Sequence, residues 1–340
     1  MDRELTERQQ AVLRMIVAEY VATAVPVGSG TIVRKYAPGV SPATVRNDMV
    51  TLASAGYVYH PHTSAGRIPS DKGYQYYVRH LMQPGELSAD EKRMIVHLFH
   101  QIERDLGQWV QLAATLLAQM TGNAALVTAP RVARAELQHL ELIATQERSA
   151  LLIALLGEGM LHQQLLVHSE PLRQEELDQI VRRFNQTLRG RAAEEIAEWD
   201  GARTDLERAV RDCLAELMMR VDRQAVPRVW QAGLSLLLAQ PEFASREKAQ
   251  EITRAFEQPT LAVEVADALI EYPGVRVMIG DEVRWSVLRG CAVVGARYGA
   301  DRRWGAIAVV GPTRMRYDRA IATIQYVSEV MTDLWAKLCG

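Results

Sequence analysis

Residues 41–58, SPATVRNDMVTLASAGYV, include two adjacent side chains whose chemistry suits the reading of DNA bases. Arginine can donate two hydrogen bonds to O6 and N7 of guanine, and asparagine can pair with N6 and N7 of adenine. Arg46 and Asn47 are these two residues. Exposed polar side chains on a helix are more often simply hydrated, so the surrounding elements must decide their role.

The same stretch has the pattern of a helix with one apolar face. Ser41 is a favourable N-cap, and Pro42 suits the first helical position, where its missing N–H is not needed. At 100° per residue the apolar side chains share one face and are expected to pack inward. The inner face holds Val45, Met49 and Leu52, and the outer face holds Ala43, Arg46, Asn47, Val50 and Ser54.

The flanking segments predict two helices before this one and a hairpin after it. Thr6 and Gln9 form a capping box that begins the first helix, and a second helix is predicted from Ser29 to Tyr36. Tyr57–Tyr59 and Arg67–Pro69 are predicted as short strands around the loop HPHTSAG. Three helices followed by a hairpin is the order of a winged helix-turn-helix. In such a motif the second helix of the helix-turn-helix enters the major groove, and small and hydroxyl residues of the loop can approach phosphates.

Charge is distributed unevenly along the chain. Residues 1–82 contain nine Lys/Arg and six Asp/Glu, a net charge of +3, whereas residues 83–340 contain 30 and 35, a net charge of −5. A basic N-terminal segment on an acidic body is typical of a DNA-binding module attached to a regulatory body, although charge alone does not discriminate strongly.

The remainder of the chain predicts a mixture of helices and strands. One long helix is predicted from Asp90 to Met120, because apolar residues recur at three- and four-residue steps. Strands before and after a helical block indicate one α+β domain with a second domain inserted into it. The predicted strands are 125–130, 137–145, 150–157, 160–168, 275–280, 291–298 and 304–311, and the predicted helices are 175–223, 229–238, 245–256, 261–271 and a last one from about Tyr317 to Leu338.

Cysteine usage and hydropathy indicate a cytoplasmic protein. The cysteines, Cys213, Cys291 and Cys339, are far apart and have neither zinc-site nor disulfide-framework spacing. The first ten residues, MDRELTERQQ, are charged and lack the apolar core of a signal peptide. No apolar run reaches the roughly 18 residues expected of a membrane span, so we expect no membrane association.

Enzyme signals are weak. VGSG (27–30) lacks the third glycine of a dinucleotide fingerprint, and we find no P-loop, G-x-S-x-G motif or clustered His/Asp/Glu set. We therefore predict no catalytic activity, no cofactor and no metal. The arginine-rich turn GPTRMRYDRAI (311–321) could hold an anion near a helix N-terminus. Arginines that pair with acidic residues across a domain or subunit contact are the favoured interpretation.

Four motifs together resemble a known family. They are S-x-A-T-V-R-N-x-M, PHTSAGRIPSDKGYQYYV, IGDE (279–282) and GPTRMRY (311–317). This set resembles the HrcA family of heat-inducible transcription repressors. The resemblance covers essentially the whole chain, with PHTSAGRIP and GPTRM as its most specific parts, whereas residues 170–270 match only by position.

The resemblance implies an α+β protein with an N-terminal winged helix-turn-helix, a GAF-like α/β domain and a helical dimerisation domain inserted in the latter. The expected bounds are 1–82 for the DNA-binding domain, 83–188 for a linker helix and the first part of the GAF-like domain, 189–272 for the inserted domain and 273–340 for the second part. Transferred residue by residue, the DNA contacts are Ser41, Thr44, Arg46, Asn47, His62, Thr63 and Arg67.

The resemblance also implies a function and partners. It implies repression of class I heat-shock (chaperone) operons, through binding of a homodimer to the inverted-repeat CIRCE operator, and modulation of activity by the GroEL chaperonin. A two-fold dimer fits an inverted repeat because the symmetries must agree. Many non-local contacts make slow, aggregation-exposed folding plausible, which would explain a need for chaperonin. The alternative is a ligand-gated repressor with a metabolite in the GAF-like domain.

Overall fold

The structure is a computed structural model that describes residues 5–37, 39–61, 66–102, 105–132, 135–224, 229–300 and 303–339. It is an α+β protein whose chain divides into two compact units. The first unit combines Met1–Pro130 with Arg228–Gly340, and the second is Arg131–Pro227.

The chain begins with a small helical head, residues 5–82. A capping box at Thr6 and Gln9 starts the first helix, as predicted. The third helix begins at Pro42 with Ser41 as its N-cap, also as predicted. The elements of the head are α1 (Glu7–Thr23), α2 (Ser29–Tyr36), α3 (Pro42–Ser54), β1 (Val58–Tyr59), β2 (Ile68–Pro69) and α4 (Asp71–Tyr76), which continues as a π-helical turn at Tyr77–Leu81.

Two helices, α5 (Ala89–Gln101) and α6 (Leu106–Thr121), follow the head. The prediction of one helix from Asp90 to Met120 is wrong. The first helix ends at Gln101, the next residue, Ile102, has extended dihedrals, and Asp105 caps a new helix by accepting a hydrogen bond from the Gln108 N–H. Apolar spacing continues across the break because both helices bury one face, so periodicity alone did not reveal it.

The body of the first unit is built on an antiparallel sheet. Five of its strands run in the order β8 (Val229–Ala232), β3 (Ala124–Thr128), β11 (Arg303–Pro312), β10 (Cys291–Ala300) and β9 (Val275–Ile279). Residues 229–238 were predicted as one helix, but Val229–Ala232 forms a strand that pairs with β3. Gly233, at φ 76°, then turns the chain into the short helix α10 (Leu234–Leu238). The partner strand supplies the hydrogen bonds that override helical propensity here.

Helices cover both faces of this sheet. Alternate residues of β3 separate accordingly, so Ala125 and Val127 join the core under α6 and α13 (Tyr317–Cys339), while Ala124 and Leu126 join the opposite core. The opposite core is formed by α10, α11 (Arg246–Glu257) and α12 (Pro259–Ile270). The result is a three-layer α/β/α body whose first core continues into the head.

The second unit has its own core. An antiparallel sheet of order β5-β6-β7 packs one face against three helices. This unit spans 131–227, and among the described residues its strands at 137–167 form a sheet separate from that of the body. The inserted domain expected at 189–272 stays a prediction. After β4 (Arg131–Val132), which is the sixth strand of the body sheet, the elements of this unit are β5 (Leu137–Gln146), β6 (Ser149–Leu156), β7 (Met160–Val167), α7 (Gln174–Leu188), α8 (Ala193–Ala197) and α9 (Asp205–Gln224).

An ion pair fixes the start of α5 to the last helix. The guanidinium of Arg319 in α13 donates from Nη2 to Glu91 Oε1 at 2.5 Å, and Glu91 Oε2 accepts the Ser88 N–H at 2.8 Å. These bonds, Arg319 first and Ser88 next, hold the pKa of Glu91 at about 2, against an ordinary value of 4.5.

A search of the described residues for membrane-spanning helices finds none with the length and hydropathy that a span requires.

Glu91→Gln should therefore lower the melting temperature at neutral pH but not near pH 2. A carboxylate whose pKa falls on folding stabilises the protein above its unfolded pKa, and this contribution disappears as the pH falls from 4.5 towards about 2. Melting curves of the wild type and variant over this range measure the effect. Glu86→Gln, at an exposed position nearby, is the control. A wild-type-to-variant difference that persists unchanged near pH 2 would contradict the assignment.

Candidate nucleic-acid interface

The two faces of α3 separate as the sequence predicted. Val45, Met49 and Leu52 are at most 4% exposed and belong to the core of the head. Arg46 and Asn47, in the N-terminal half of the helix, are exposed. The remaining outer-face residues, Ala43, Val50 and Ser54, are exposed as well.

Ser41 and Thr44 form the N-terminal end of α3. Ser41 Oγ accepts the Thr44 N–H at 3.1 Å, and the two hydroxyl oxygens lie 2.9 Å apart. Ser41 is exposed and Thr44 is half-buried. The unpaired backbone N–H groups and hydroxyls at such a helix end suit contact with a phosphate.

Two buried carboxylates that sequence reasoning missed orient the helices of the head. Asp48 in α3 is 3% exposed and receives two hydrogen bonds, at 2.7 and 3.1 Å, from the guanidinium of Arg8 in α1. Glu19 in α1 is 6% exposed and accepts Lys35 Nζ at 2.6 Å and the Tyr36 hydroxyl at 2.9 Å. The Lys35 bond lowers the pKa of Glu19, although burial opposes this.

These pairs join α1 to both other helices. A signal existed in the sequence for one of them, since Asp48 lies next to the inner-face residue Met49, where a carboxylate must find a partner when buried. Its partner is 40 residues away in the chain, so only the fold identifies it.

The hairpin that follows α3 is short and is held at its base by the segment that leads into α2. β1 and β2 pair in antiparallel register, with Val58 opposite Pro69. Arg67 forms a further bridge, exchanging backbone hydrogen bonds with Val27 at 2.8 and 2.9 Å. A Cβ on Gly66 would lie 2.5 Å from the Val27 carbonyl carbon, so a larger residue cannot fit there without displacing the bridge.

Unlike Arg46 and Asn47 on α3, the one described residue among the predicted wing contacts, Arg67, is buried. The Arg67 side chain was expected to offer its charge to DNA, but Arg67 is only 9% exposed, and burial lowers the pKa of its guanidinium. The backbone bridge to Val27 draws it inward. His62 and Thr63 lie outside the described residues.

The motifs IGDE and GPTRMRY meet the head. Gln75 Nε2 donates to the Ile279 carbonyl at 2.9 Å, and Arg79 forms an ion pair with Glu282. Ile279 and Glu282 are the ends of IGDE. The head and the body are therefore joined through this motif by specific polar contacts as well as by the shared apolar core.

Arg314 of GPTRMRY makes the most extensive of these contacts. Its guanidinium donates to Glu242 Oε1 at 2.5 Å, to Gln240 Oε1 at 2.7 Å and to the Val21 carbonyl of α1 at 3.4 Å. Arg319 of the same turn pairs with Glu91. Both arginines pair with acidic residues, as the sequence suggested, but these acidic partners lie within the first unit, and the contact of Arg314 with the head is made to a backbone carbonyl.

Comparisons with known proteins identify the family of this chain. The family model for the HrcA protein C terminal domain matches residues 107–321. The heat-inducible transcription repressors HrcA of Roseiflexus castenholzii and Thermomicrobium roseum are each 38% identical to this chain, over 100% of it and 97% and 98% of their own lengths. A crystal structure described as a hypothetical protein at 2.2 Å resolution is 26% identical, covers 98% of both chains and gives a TM-score of 0.58. The chain belongs to the HrcA family of heat-inducible transcription repressors.

Proposed function

We propose that this protein represses class I heat-shock (chaperone) operons by binding, as a dimer, to an inverted-repeat operator of the CIRCE type. The observation that carries the proposal is the pair Arg46 and Asn47, exposed in the N-terminal half of a helix whose other face is buried. A recognition helix meets base edges with this part of its surface.

The other predicted contacts take positioning roles in this proposal. Ser41 and Thr44 would bind a phosphate at the start of α3, and His62, Thr63 and Arg67 would complete the wing of a winged helix-turn-helix. The Arg67 side chain is buried in the free protein. In this proposal Arg67 therefore supports the wing through its backbone bridge to Val27. Contacts of this kind set the register of the protein on DNA and carry little sequence information.

The body supplies the remaining parts of the proposal. We infer that the five strands β8-β3-β11-β10-β9 of the body sheet, with the helices on its two faces, form the GAF-like domain. The unit at 131–227 interrupts this domain in the sequence. That unit is then the dimerisation domain, and its bounds replace the predicted 189–272.

One face of the second unit supports a dimerisation role. Helices cover one side of the β5-β6-β7 sheet, while apolar side chains of the other side remain open. Leu151 on the central strand β6 lies opposite Ile143 on β5 and Leu165 on β7. Leu155 on β6 lies opposite Leu161 on β7. Exposed apolar patches of this kind are typical of interfaces, and a two-fold axis would set the same patch against itself. The most exposed members are Val167 at 69%, Leu161 at 63%, Leu165 at 56% and Ile143 at 44%.

Arg46→Ala should weaken operator binding by roughly 1–3 kcal/mol at one base pair of each half-site, because a bidentate base contact is lost. Binding to operators altered at single positions and to unrelated DNA measures this loss. Arg93→Ala removes another exposed arginine, from α5, and should leave both affinities unchanged. Equal weakening of operator and non-specific binding would make Arg46 a phosphate contact instead.

Leu165→Glu should dissociate the dimer, because the two-fold interface would then bury two unpaired carboxylates, one from each protomer. A loss of about 2 kcal/mol raises the dimer Kd by more than tenfold. Sedimentation velocity over a concentration series measures the Kd. Gln186→Glu adds the same charge to an exposed position of α7, on the helical side of the unit, and should leave the Kd unchanged. A dimer that tolerates Leu165→Glu would place the interface elsewhere.

We also propose that a GroEL-type chaperonin sets the amount of active repressor. The body sheet is completed by strands on both sides of a 97-residue inserted unit, 131–227, so its closure requires non-local contacts. Such contacts slow folding and expose apolar surface meanwhile. Misfolded proteins that occupy the chaperonin would thereby reduce repression.

Denatured repressor diluted with chaperonin and ATP should recover more operator binding than repressor diluted alone. Gel shifts on a fixed operator concentration quantify the recovered fraction. Addition of an unrelated unfolded protein as competitor should lower recovery towards the unaided value. Equal recovery with and without chaperonin would contradict this mechanism while leaving operator binding itself intact.

A further inference from the structure

A cavity of about 390 Å³ lies where the head meets the body. From the head it is lined by side chains of α1, of the hairpin and of α4, and from the body by residues of α11 and the segments beside it. Its volume is within the range of small-molecule sites. The head contributes Tyr20, Tyr59, Ile68, Pro69, Ser70, Asp71 and Tyr74.

Two polar groups in the lining lack hydrogen-bond partners among the described residues. Tyr74 is 1% exposed, and its hydroxyl is buried and unbonded. Glu242 gives Oε1 to Arg314, while its Oε2 is buried and unbonded. Leaving such groups unpaired costs free energy, so each requires an explanation. A ligand that bonds both would supply one.

The chemistry of the lining favours an organic cation. Tyr20, Tyr59 and Tyr74 present aromatic rings, which attract ammonium and guanidinium groups. Glu242 offers a carboxylate oxygen that has no hydrogen bond among the described residues. The hydroxyl of Tyr74 stays neutral, because burial and, to a smaller extent, the neighbouring Tyr317 raise the pKa of Tyr74 well above its ordinary value. Three carboxylates, of Asp71, Glu242 and Glu251, line the cavity against two cationic groups, and Glu251 is exposed like both cationic residues, Lys248 and Arg289.

We propose that this cavity binds a small organic cation with an ammonium or guanidinium group, which donates hydrogen bonds to Glu242 Oε2 and Tyr74 Oη. The site lies between the head and the body, and it is distinct from a pocket inside the GAF-like domain. A ligand that touches both parts shifts the population of head orientations if its affinity for them differs. This second step rests on the proposed repressor function, whereas the binding step does not.

Titration calorimetry of the full-length protein without DNA tests the site. Putrescine and agmatine are the probes, and 1,4-butanediol is a neutral compound of matched length. We expect at least one cation to bind and the diol to show at least tenfold weaker affinity. Absence of binding by both cations, or equal binding of the diol, would overturn the proposal.

Variants separate this site from general attraction of cations to an acidic protein. Tyr74→Phe and Glu242→Gln should each weaken cation binding at least tenfold. Because Tyr74→Phe removes only an unpartnered hydroxyl, its melting temperature should equal or exceed that of the wild type. Glu247→Gln removes a charge from the same helix, α11, outside the cavity, and should leave affinity unchanged. Unchanged binding by Tyr74→Phe, or equal weakening by Glu247→Gln, would overturn the assignment.

Operator affinity measured with and without the cation then tests the coupling. A changed affinity in the wild type but not in Tyr74→Phe supports regulation through the cavity. Cation binding without any change in operator affinity would overturn the coupling and retain the site. Failure to bind any operator would refute the proposed repressor function and leave the calorimetric result standing.

Discussion

The hydrogen bonds of the Arg314 guanidinium are central to the contact between head and body. This guanidinium is largely buried and donates to a carboxylate and an amide of the body and to a backbone carbonyl of α1. A buried arginine needs such partners because an unpaired charge away from water is costly. Planar donors at fixed angles also impose geometry, so this side chain, together with the contacts Gln75–Ile279 and Arg79–Glu282, orients the head against the body.

Within the head, apolar burial and paired charges have different effects. Val45, Met49 and Leu52 supply the area that leaves water, but such contacts tolerate some rotation of a helix. The bonds from Arg8 to Asp48 and from Lys35 to Glu19 are directional, and they set the angles of α3 and α2 against α1. The exposed face of α3 therefore has a defined direction, which the proposed reading of bases requires.

Local patterns predicted most elements well, and the errors have physical causes. The cap at Ser41 and the apolar face of α3 depend on neighbours within a few residues, so the sequence contained all that was needed. The break before Leu106 escaped notice because α5 and α6 both bury apolar faces. Val229–Ala232 was predicted as helix because its pairing with β3, more than 100 residues away, leaves no local trace.

The sequence by itself determined the helix that carries Arg46 and Asn47, the outward direction of both side chains, and the family, because caps, periodicity and motifs are short-range. Only the tertiary structure decided that Arg67 is buried against Val27, that IGDE and GPTRMRY attach the body to the head, and that residues 131–227 form a separate unit. These features arise from contacts between residues distant in the chain. Such contacts form only when the whole core has closed.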